Sequence, residues 1–316
     1  MSTTASPITP SASEKGIRLY DSHAHLVSDD PVRYPFNPIP RDPNQPRALP
    51  PGAGGRPGGM HGPDAINLKP TAEQMHGWMA EENVVGMAAV QKGRLYGTDN
   101  SYIVDAADLF PDEMRAIIIV DPQAPETPQM VRDLARRGII GIRFFGASVK
   151  DKANWLSTPA ALGVWALAAE LGLLVDVEAP VVGGQVLIPV IEAMADRFPD
   201  LRIVLDHIFL PTATDPDFGI GDQFRGLAAR ANISVKFTSL NMDAIRETGV
   251  APEQVLRRAV DVFGADKVMW GSDIGTSSGT YKEMIQRAIA STALLTHEER
   301  RKVLHDTGRR ILLGQA

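Results

Sequence analysis

The sequence predicts an α/β protein that folds as a (β/α)8 TIM-like barrel, and three observations support this fold class. Apolar segments typical of buried strands alternate with periodic segments typical of helices. Past residue 70 the strands recur roughly every 30 residues, which is the βα spacing of a barrel. Strands such as residues 116–120 are almost continuously apolar, which suits a parallel sheet covered on both faces. An open doubly wound sheet is the alternative, but no strand is followed by a Gly-x-Gly-x-x-Gly turn for nucleotide binding.

Caps and breakers place the elements. Thr71-x-x-Gln74 and Thr296-x-x-Glu299 are capping boxes that begin helices, Thr158-Pro159 begins another, and Gly172 ends that one. The predicted strands are Leu19–His25, Val85–Gln91, Arg115–Asp121, Ile139–Phe145, Leu173–Glu178, Leu201–His207, Ile233–Phe237 and Lys267–Asp273. The predicted helices cover residues 71–83, 101–110, 126–137, 158–171, 185–198, 221–231, 253–264, 280–291 and 296–313.

The composition restricts the classes of function. Of the 316 residues, 44% are hydrophobic and 22% are charged, which is ordinary for a globular protein and excludes a disordered chain. The formal net charge of −6 provides no general basic field, so we expect neither a nucleic acid nor a membrane surface as partner. The chain lacks cysteine, which excludes disulfide and thiolate chemistry. The most apolar stretch after the loop, residues 162–177, contains Glu170 and Asp176 and is too short to cross a bilayer, so we expect a soluble cytoplasmic protein.

Two segments fall outside the repeating pattern. Residues 1–16 lack the features of a signal peptide, so we expect a flexible tail followed by one domain over residues 17–316. Residues 26–70 contain eleven of the chain's 24 prolines and begin at the end of the first strand, so we expect a loop insertion that covers the functional site. Tyr34 in this loop is a candidate for substrate contact, although a surface loop with packed aromatic residues explains it nearly as well.

The most informative motif is His23-Ala24-His25 in the first strand. Side chains two apart on a strand project from the same face, so both imidazoles point to one place. Two neutral imidazoles there can hold a divalent metal or donate hydrogen bonds to a substrate oxygen. A chance pair of solvated histidines is the alternative, so the motif requires partners from other strands.

Polar residues end most of the other apolar strands. Catalytic groups of a barrel lie at the carboxyl ends of its strands, and burying several ionisable groups there reduces stability unless they have a function. Arg143 is suited to clamp a substrate carboxylate, whereas Glu178 and Lys236 could instead form a structural ion pair. His207 and Asp273 are the best candidates to join the first two histidines. The strand-end residues are His23, His25, Gln91, Asp121, Arg143, Glu178, His207, Lys236 and Asp273.

Three motifs together resemble the amidohydrolase superfamily. They are His23-x-His25 on strand 1, Leu205-Asp206-His207 on strand 6 and Trp270-Gly271-Ser272-Asp273 on strand 8. The resemblance runs from about Tyr20 to Leu313, and it is greatest to the amidohydrolase-2 branch, which includes 2-pyrone-4,6-dicarboxylate lactonase and related lactone hydrolases. Further matches are Tyr34-Pro35-Phe36, Gln91, residues 97–100, Val120-Asp121-Pro122, residues 141–144 and Lys236.

The resemblance implies an enzyme that opens a carboxylate-bearing lactone by hydrolysis. Asp273 would act as general base on water, and His23, His25 and His207 would polarise the lactone carbonyl. The histidines would do so directly, without a metal, or through one divalent cation, zinc or manganese, held together with Asp273. The expected partner is an anionic small molecule, and a homo-oligomer is compatible with the sequence. Substrate contacts are implied for Arg143, Lys236, Gln91, Glu178 and Tyr34.

Departures from the family pattern narrow this prediction. Arg143 stands on strand 4 where binuclear members have a carboxylated lysine, so a two-metal site is not expected. Strand 5 offers Glu178 in place of the histidine of related decarboxylases, which argues against the alternative function, a metal-dependent nonoxidative decarboxylase of an aromatic or unsaturated acid. After His207, Phe209 and Leu210 replace the usual Gly-Arg, so the substrate is not expected to be the pyrone dicarboxylate itself. A non-catalytic barrel that binds a ligand is a further alternative.

Overall fold

The computed structural model describes residues 16–39, 68–146, 149, 151, 153–178 and 184–314. In this part of the chain eight strands form one sheet in sequence order, each parallel to the next, and helices follow them, so the predicted (β/α)8 barrel is confirmed. The tail predicted before residue 16 and residues 40–67 of the predicted loop lie outside the described residues. The strands are β1 (Leu19–Ala24), β2 (Val84–Val90), β3 (Met114–Val120), β4 (Gly141–Phe145), β5 (Leu174–Glu178), β6 (Ile203–Leu205), β7 (Ile233–Thr238) and β8 (Val268–Gly271).

The helices pack around this sheet. Capping boxes at Thr71, Thr280 and Thr296 begin three of them, as the sequence predicts for the first and last of these. None of the helices in the described ranges has the length and apolarity of a membrane span. The α-helices are α1 (Ala72–Glu81), α2 (Gly93–Tyr96), α3 (Ser101–Leu109), α4 (Thr127–Ala135), α5 (Pro159–Glu170), α6 (Ile188–Arg197), α7 (Arg225–Ala229), α8 (Ser239–Glu247), α9 (Pro252–Phe263), α10 (Tyr281–Ser291), α11 (His297–Arg301) and α12 (Thr307–Leu313).

Strands β1 and β8 close the ring through a mixture of backbone and side-chain hydrogen bonds. Asp273 N donates to His23 O at 2.7 Å, and His25 N donates to Ile274 O at 3.0 Å. Below these bonds, Ser272 N donates to the Asp21 carboxylate at 2.8 Å. We call this junction of β1 and β8 the seam. It is where the first strand delivers its two histidines beside the chain that follows the last strand.

The barrel interior is layered. Near the amino ends of the strands, a buried apolar cluster fills the barrel and includes Ile311 and Leu312 of α12. Along β5 and β7, residues two apart share a face, so Asp176 lies below Glu178, and Lys236 lies below Thr238. Charged groups therefore occupy the layer above the apolar cluster. The apolar cluster comprises Tyr20, Ala88, Val90, Ile117, Leu174, Val204, Met269, Ile311 and Leu312.

The short helix α2 (Gly93–Tyr96) was not predicted, and two elements beside His207 also differ from the sequence prediction. Strand β6 ends at Leu205 and not at His207, because residues 207–210 all have positive φ, from 48° to 54°, and leave the extended conformation. Helix α8 was not predicted, although Thr238 and Asn241 form a capping box at its start and Gly249, with φ of 80°, follows its end. Both differences lie beside His207, whose carbonyl accepts a hydrogen bond from Asn241 Nδ2 at 2.8 Å.

Candidate active site

Three of the predicted residues converge at the seam. His23 Nε2 and His25 Nε2 are 3.3 Å apart, and Asp273 Oδ1 lies 3.6 Å from the first and 3.2 Å from the second. All three side chains are buried. We call His23, His25 and Asp273 the seam triad.

Two glycines allow this approach. A Cβ on Gly271 would lie 2.7 Å from His23 Cβ, and a Cβ on Gly275 would lie 2.9 Å from His25 Cβ. Asp273 itself has a φ of 49°, a left-handed conformation that is unfavourable for a residue with a side chain. Its carbonyl accepts hydrogen bonds from Thr276 N and Ser277 N, which hold the turn. The chain after β8 is therefore bent tightly over the two histidines.

Hydrogen-bond partners fix the tautomers of the two histidines. His25 Nδ1 lies 2.8 Å from the carbonyl oxygen of Val90, which can only accept, so Nδ1 carries the proton. His23 Nδ1 lies 3.1 Å from a carboxylate oxygen of Asp206 and 3.2 Å from the Lys236 ammonium. Lys236 donates to Asp176 and pairs with Asp206, so we place the proton of His23 on Nδ1, where it is donated to Asp206. In the neutral imidazoles both Nε2 atoms are then acceptors, directed at each other and at Asp273.

His207 adjoins the seam triad through His23. Its ring centroid is 5.0 Å from that of His23, and its Nδ1 lies 2.7 Å from Thr238 Oγ1. Thr238 Oγ1 donates to Asn241 Oδ1, so its oxygen accepts the proton of His207 Nδ1 and leaves the third Nε2 as an acceptor too. The left-handed turn 207–210 brings His207 into this position.

Burial keeps these imidazoles neutral. It lowers the pKa of His25 to about 4, with the nearby Lys92 charge acting in the same direction, and it lowers the pKa of His23 and His207 as well. Burial opposes ionisation of Asp273, but the proximity of His25, His207 and His23 holds its pKa below the usual range. A carboxylate oxygen and two imidazole lone pairs thus face each other within 3.6 Å, and Asp273 Oδ1 has no hydrogen-bond donor among the described residues. Such a set of acceptors requires a cation or a proton between them.

The described residues contain two sets of three groups that could hold a metal ion, namely the seam triad and His23, Asp206 and His207. In the second set a cation is already present. The Lys236 ammonium lies 3.0 Å from Asp206 Oδ1 and 3.2 Å from His23 Nδ1. Of the two sets found in the described part of the chain, the seam triad is therefore the one that combines converging acceptors with no described cation paired to its carboxylate.

A buried ionic layer lies beneath the site and holds His23. Asp206 accepts from Arg143 Nε at 2.8 Å and Nη2 at 2.7 Å, and from Lys236 at 3.0 Å. Lys236 also donates to Asp176, and burial together with the neighbouring Asp206 carboxylate raises the pKa of Asp176 to about 8. Burial opposes the ionised form of Asp206, but Lys236, His23 and Arg143 hold its pKa well below the usual range. The ionic layer thus presents a carboxylate to His23 Nδ1.

The structure places the five predicted substrate contacts in different environments. Arg143 is 3% exposed and engaged with Asp206, and Lys236 is fully buried. Glu178 is 19% exposed, lies 3.5 Å from Arg143 Nη2, and has its pKa raised by burial to about 7. Gln91 Nε2 donates to the carbonyls of residues 97 and 99, and the Tyr34 hydroxyl donates to Asp105 Oδ2 at 2.7 Å. Glu178 is therefore at the mouth of the site. Gln91 instead bonds the loop between α2 and α3, and Tyr34 bonds helix α3 through Asp105.

Sequence reasoning missed four residues of this site. Asp206 and Asp176 were missed because the prediction considered only the last polar residue of each strand. Asp176 lies two residues before Glu178 on β5, and Asp206 directly follows β6 and precedes His207. Thr238 ends β7, two residues after Lys236 and on its face, which is the signal that could have identified it. Lys92 directly follows the strand-end residue Gln91, and its ammonium donates to Thr276 Oγ1 across the seam.

Histidines and a carboxylate converge at the carboxyl ends of the strands of a parallel barrel. The class of protein is therefore a (β/α)8 barrel with a candidate metal centre. Residues 20–313 match the amidohydrolase family, and the chain belongs to this family. This agrees with the resemblance inferred from the three motifs.

Individual relatives are similar to the chain over different lengths. L-fucono-1,5-lactonase of Burkholderia ambifaria is 29% identical over 178 residues, which are 55% of this chain and 60% of that enzyme. A candidate 2-pyrone-4,6-dicarboxylic acid hydrolase from Pseudomonas putida superposes with a TM-score of 0.67 at 20% identity and covers 95% of this chain and 99% of its own. An amidohydrolase from Burkholderia multivorans with bound zinc gives a TM-score of 0.67 at 18% identity and covers 94% and 99%. The two structures show that the fold is shared.

Proposed function

We propose that this chain hydrolyses a carboxylate-bearing lactone, with chemistry centred on the seam triad. The observation that carries the proposal is the convergence of two imidazole acceptors and one carboxylate oxygen within 3.6 Å at the carboxyl ends of β1 and β8. Membership of the amidohydrolase family and the partial similarity to a lactonase support the choice of reaction.

The residues present fit one divalent cation. His23, His25 and Asp273 would hold it, with His207 beside them, since their acceptor atoms face each other and Asp273 Oδ1 is buried without a donor. Zinc or manganese bound there would polarise the lactone carbonyl and stabilise the negative charge that develops on its oxygen. The tautomers favour this role over direct hydrogen bonding, because all three Nε2 atoms are acceptors when the imidazoles are neutral.

Asp273 is the proposed general base. A water oxygen attacks the carbonyl carbon of the lactone, and the Asp273 carboxylate accepts the proton that the water loses. The bond between the carbonyl carbon and the ring oxygen then breaks, and Asp273 returns the proton to that oxygen. The product is an open hydroxy acid. Ser277 Oγ, which donates to Asp273 Oδ2 at 3.3 Å, keeps the carboxylate oriented.

The neighbouring groups position this machinery. Asp206 fixes the tautomer of His23, and Arg143 and Lys236 hold Asp206 through short ionic hydrogen bonds. Thr238 does the same for His207. Direct substrate contacts of Gln91, Glu178 and Tyr34 remain part of the proposal, and Glu178 is the one whose partial exposure suits it best. Arg143 and Lys236, which the sequence suggests as substrate contacts, instead position Asp206 in this proposal.

A pH-indicator screen over sugar lactones and aromatic-derived lactones tests the reaction. We expect acid release with at least one carboxylate-bearing lactone. Carbon dioxide release from a panel of aromatic and unsaturated acids, without lactone hydrolysis, would instead establish the decarboxylase alternative. Ligand binding without turnover on either panel would establish a non-catalytic barrel.

A further inference from the structure

Lys92 lies at the mouth of the candidate active site. It directly follows Gln91 beyond β2, and its ammonium donates to Thr276 Oγ1, three residues after Asp273 beyond β8. Strand β1 lies between β2 and β8, so the side chain crosses above the end of β1, where His25 is found. The Lys92 charge is, after burial, the largest influence lowering the pKa of His25, which agrees with this placement.

Two buried cations beneath the site, Arg143 and Lys236, are already neutralised. Arg143 is bound by Asp206 through two nitrogens and also pairs with Glu178. Lys236 lies between Asp176 and Asp206 and is fully buried. Neither can bind a substrate anion without giving up a buried ion pair, which is expensive in free energy.

Lys92 differs from both. Among the described residues it has no carboxylate within ion-pair distance, and its one side-chain partner is a hydroxyl group. The residue is half-buried, and burial is the largest influence lowering the pKa of its ammonium, so the group is partly removed from water. Among the described residues, two of its three N–H donors have no protein acceptor. A partly desolvated ammonium with spare donors gains most from a bound anion.

We propose that Lys92 is the specificity-determining residue for the substrate's negative charge, and that the substrate is a lactone with a carboxylate close to the reacting carbonyl. The inference rests on the proposed function, and it assigns to Lys92 the anion contact that the sequence suggests for Arg143. Burial lowers the pKa of Lys92 to about 8, which leaves the ammonium mainly protonated at neutral pH. Lys69, exposed nearby, adds to the positive field at the mouth.

The test compares two lactones with the same ring, one bearing a carboxylate and one bearing a hydroxymethyl group in its place. We expect Lys92→Met to reduce the ratio of their kcat/KM values, carboxylate over neutral, by roughly tenfold to hundredfold, mainly through KM for the carboxylate lactone. Lys92→Arg should restore most of the ratio, because it keeps the charge. Lys69→Met is the matched control and should change the ratio by less than about threefold at physiological salt.

Two results would overturn the inference. An unchanged ratio in Lys92→Met means that Lys92 does not recognise the carboxylate. An equal loss for both lactones means that Lys92 acts on the reacting atoms. If the parent hydrolyses neither lactone, the proposed function fails, and calorimetric binding of the carboxylate lactone to parent and Lys92→Met still decides whether Lys92 is the anion contact.

Discussion

The seam between β1 and β8 and the ladder from β3 to β5 are two regions of one sheet held together in different ways. In the ladder, backbone pairs follow one another without interruption from Ile117 with Gly141 to Phe145 with Glu178. At the seam, side chains take the place of backbone groups in the hydrogen bonds between strands. The Asp21 carboxylate accepts from Ser272 N, and the Ser22 hydroxyl donates to Trp270 O. The β1–β2 pairing also contains register shifts.

The comparison shows where a barrel can carry chemistry. The regular ladder leaves little freedom, because consecutive residues of β3, β4 and β5 are paired without a register shift. At the seam, side chains replace part of the backbone bonding, and left-handed residues such as Asp273 turn the chain inward. The seam triad lies there. We therefore expect substitutions at the seam to affect activity and stability much more than similar substitutions elsewhere.

The largest expected effect is on activity. Asp273→Asn removes the general base, and His207→Ala removes an imidazole beside His23, so kcat/KM for the lactone should fall at least about a hundredfold in each variant. Asp121→Asn, at the end of β3 in an exposed position, is the matched control and should retain activity. Hydrolysis by Asp273→Asn near the parent rate would show that the base has been misassigned.

Glycine substitutions compare the packing at the seam with the packing on helix α5, outside the sheet. Gly271→Ala at the seam would bring a methyl group 2.7 Å from His23 Cβ, so we expect a loss of roughly 1–3 kcal/mol in the free energy of unfolding. Gly163→Ala, in the middle of α5 with open space around it, should instead stabilise by about 0.5–1 kcal/mol. Urea denaturation of both variants measures the difference. Equal effects would contradict the claim that the seam is tightly packed.

A smaller expected effect is the pH dependence of the free energy of unfolding that Asp21 causes. Burial raises the pKa of Asp21 to about 6, although it accepts hydrogen bonds from Ser272 and His23. Because this folded-state pKa exceeds the ordinary value, the carboxyl contributes stability below about pH 4 that is lost as the pH rises through 6. Asp21→Asn keeps an acceptor oxygen and removes the ionisation.

The stability of Asp21→Asn relative to the parent should therefore increase by roughly 3 kcal/mol between about pH 4 and about pH 8. Thermal or urea unfolding of both proteins across this range gives the difference. Asp21→Ala, which removes the acceptor, should be less stable than the parent at every pH. A pH-independent difference between Asp21→Asn and the parent would exclude ionisation of Asp21 as the cause.

Much of the fold could be predicted because it depends on local pattern. Apolar periodicity, caps and glycines located the strands and most helices, since each of these signals acts within one or two turns. The end of β6 could not be predicted in this way. Residues 201–207 read as one strand that ends in a polar residue, whereas the left-handed conformation of residues 207–210 depends on contacts such as that of His207 O with Asn241.

The site shows the same division. The spacing of His23 and His25 on one strand predicted that they face one place, and the structure brings them together with Asp273. The tautomers of the histidines could not be predicted, because their partners Asp206, Val90 and Thr238 are distant in sequence or unremarkable as residue types. The engagement of Arg143 by Asp206 is likewise a property of the folded interior, since nothing near Arg143 in the sequence indicates it.

The most direct test of the seam triad as a metal site is to measure the binding of zinc and manganese to chelator-treated protein by calorimetry and elemental analysis. The convergence of acceptors at the seam predicts one divalent cation per chain in the parent, and strongly weakened binding in Asp273→Asn with the fold intact. Because Lys236 and Arg143 already neutralise the Asp206 carboxylate, a second equivalent is not expected. No bound metal, two equivalents, or equal affinity in Asp273→Asn would contradict the assignment of the seam triad.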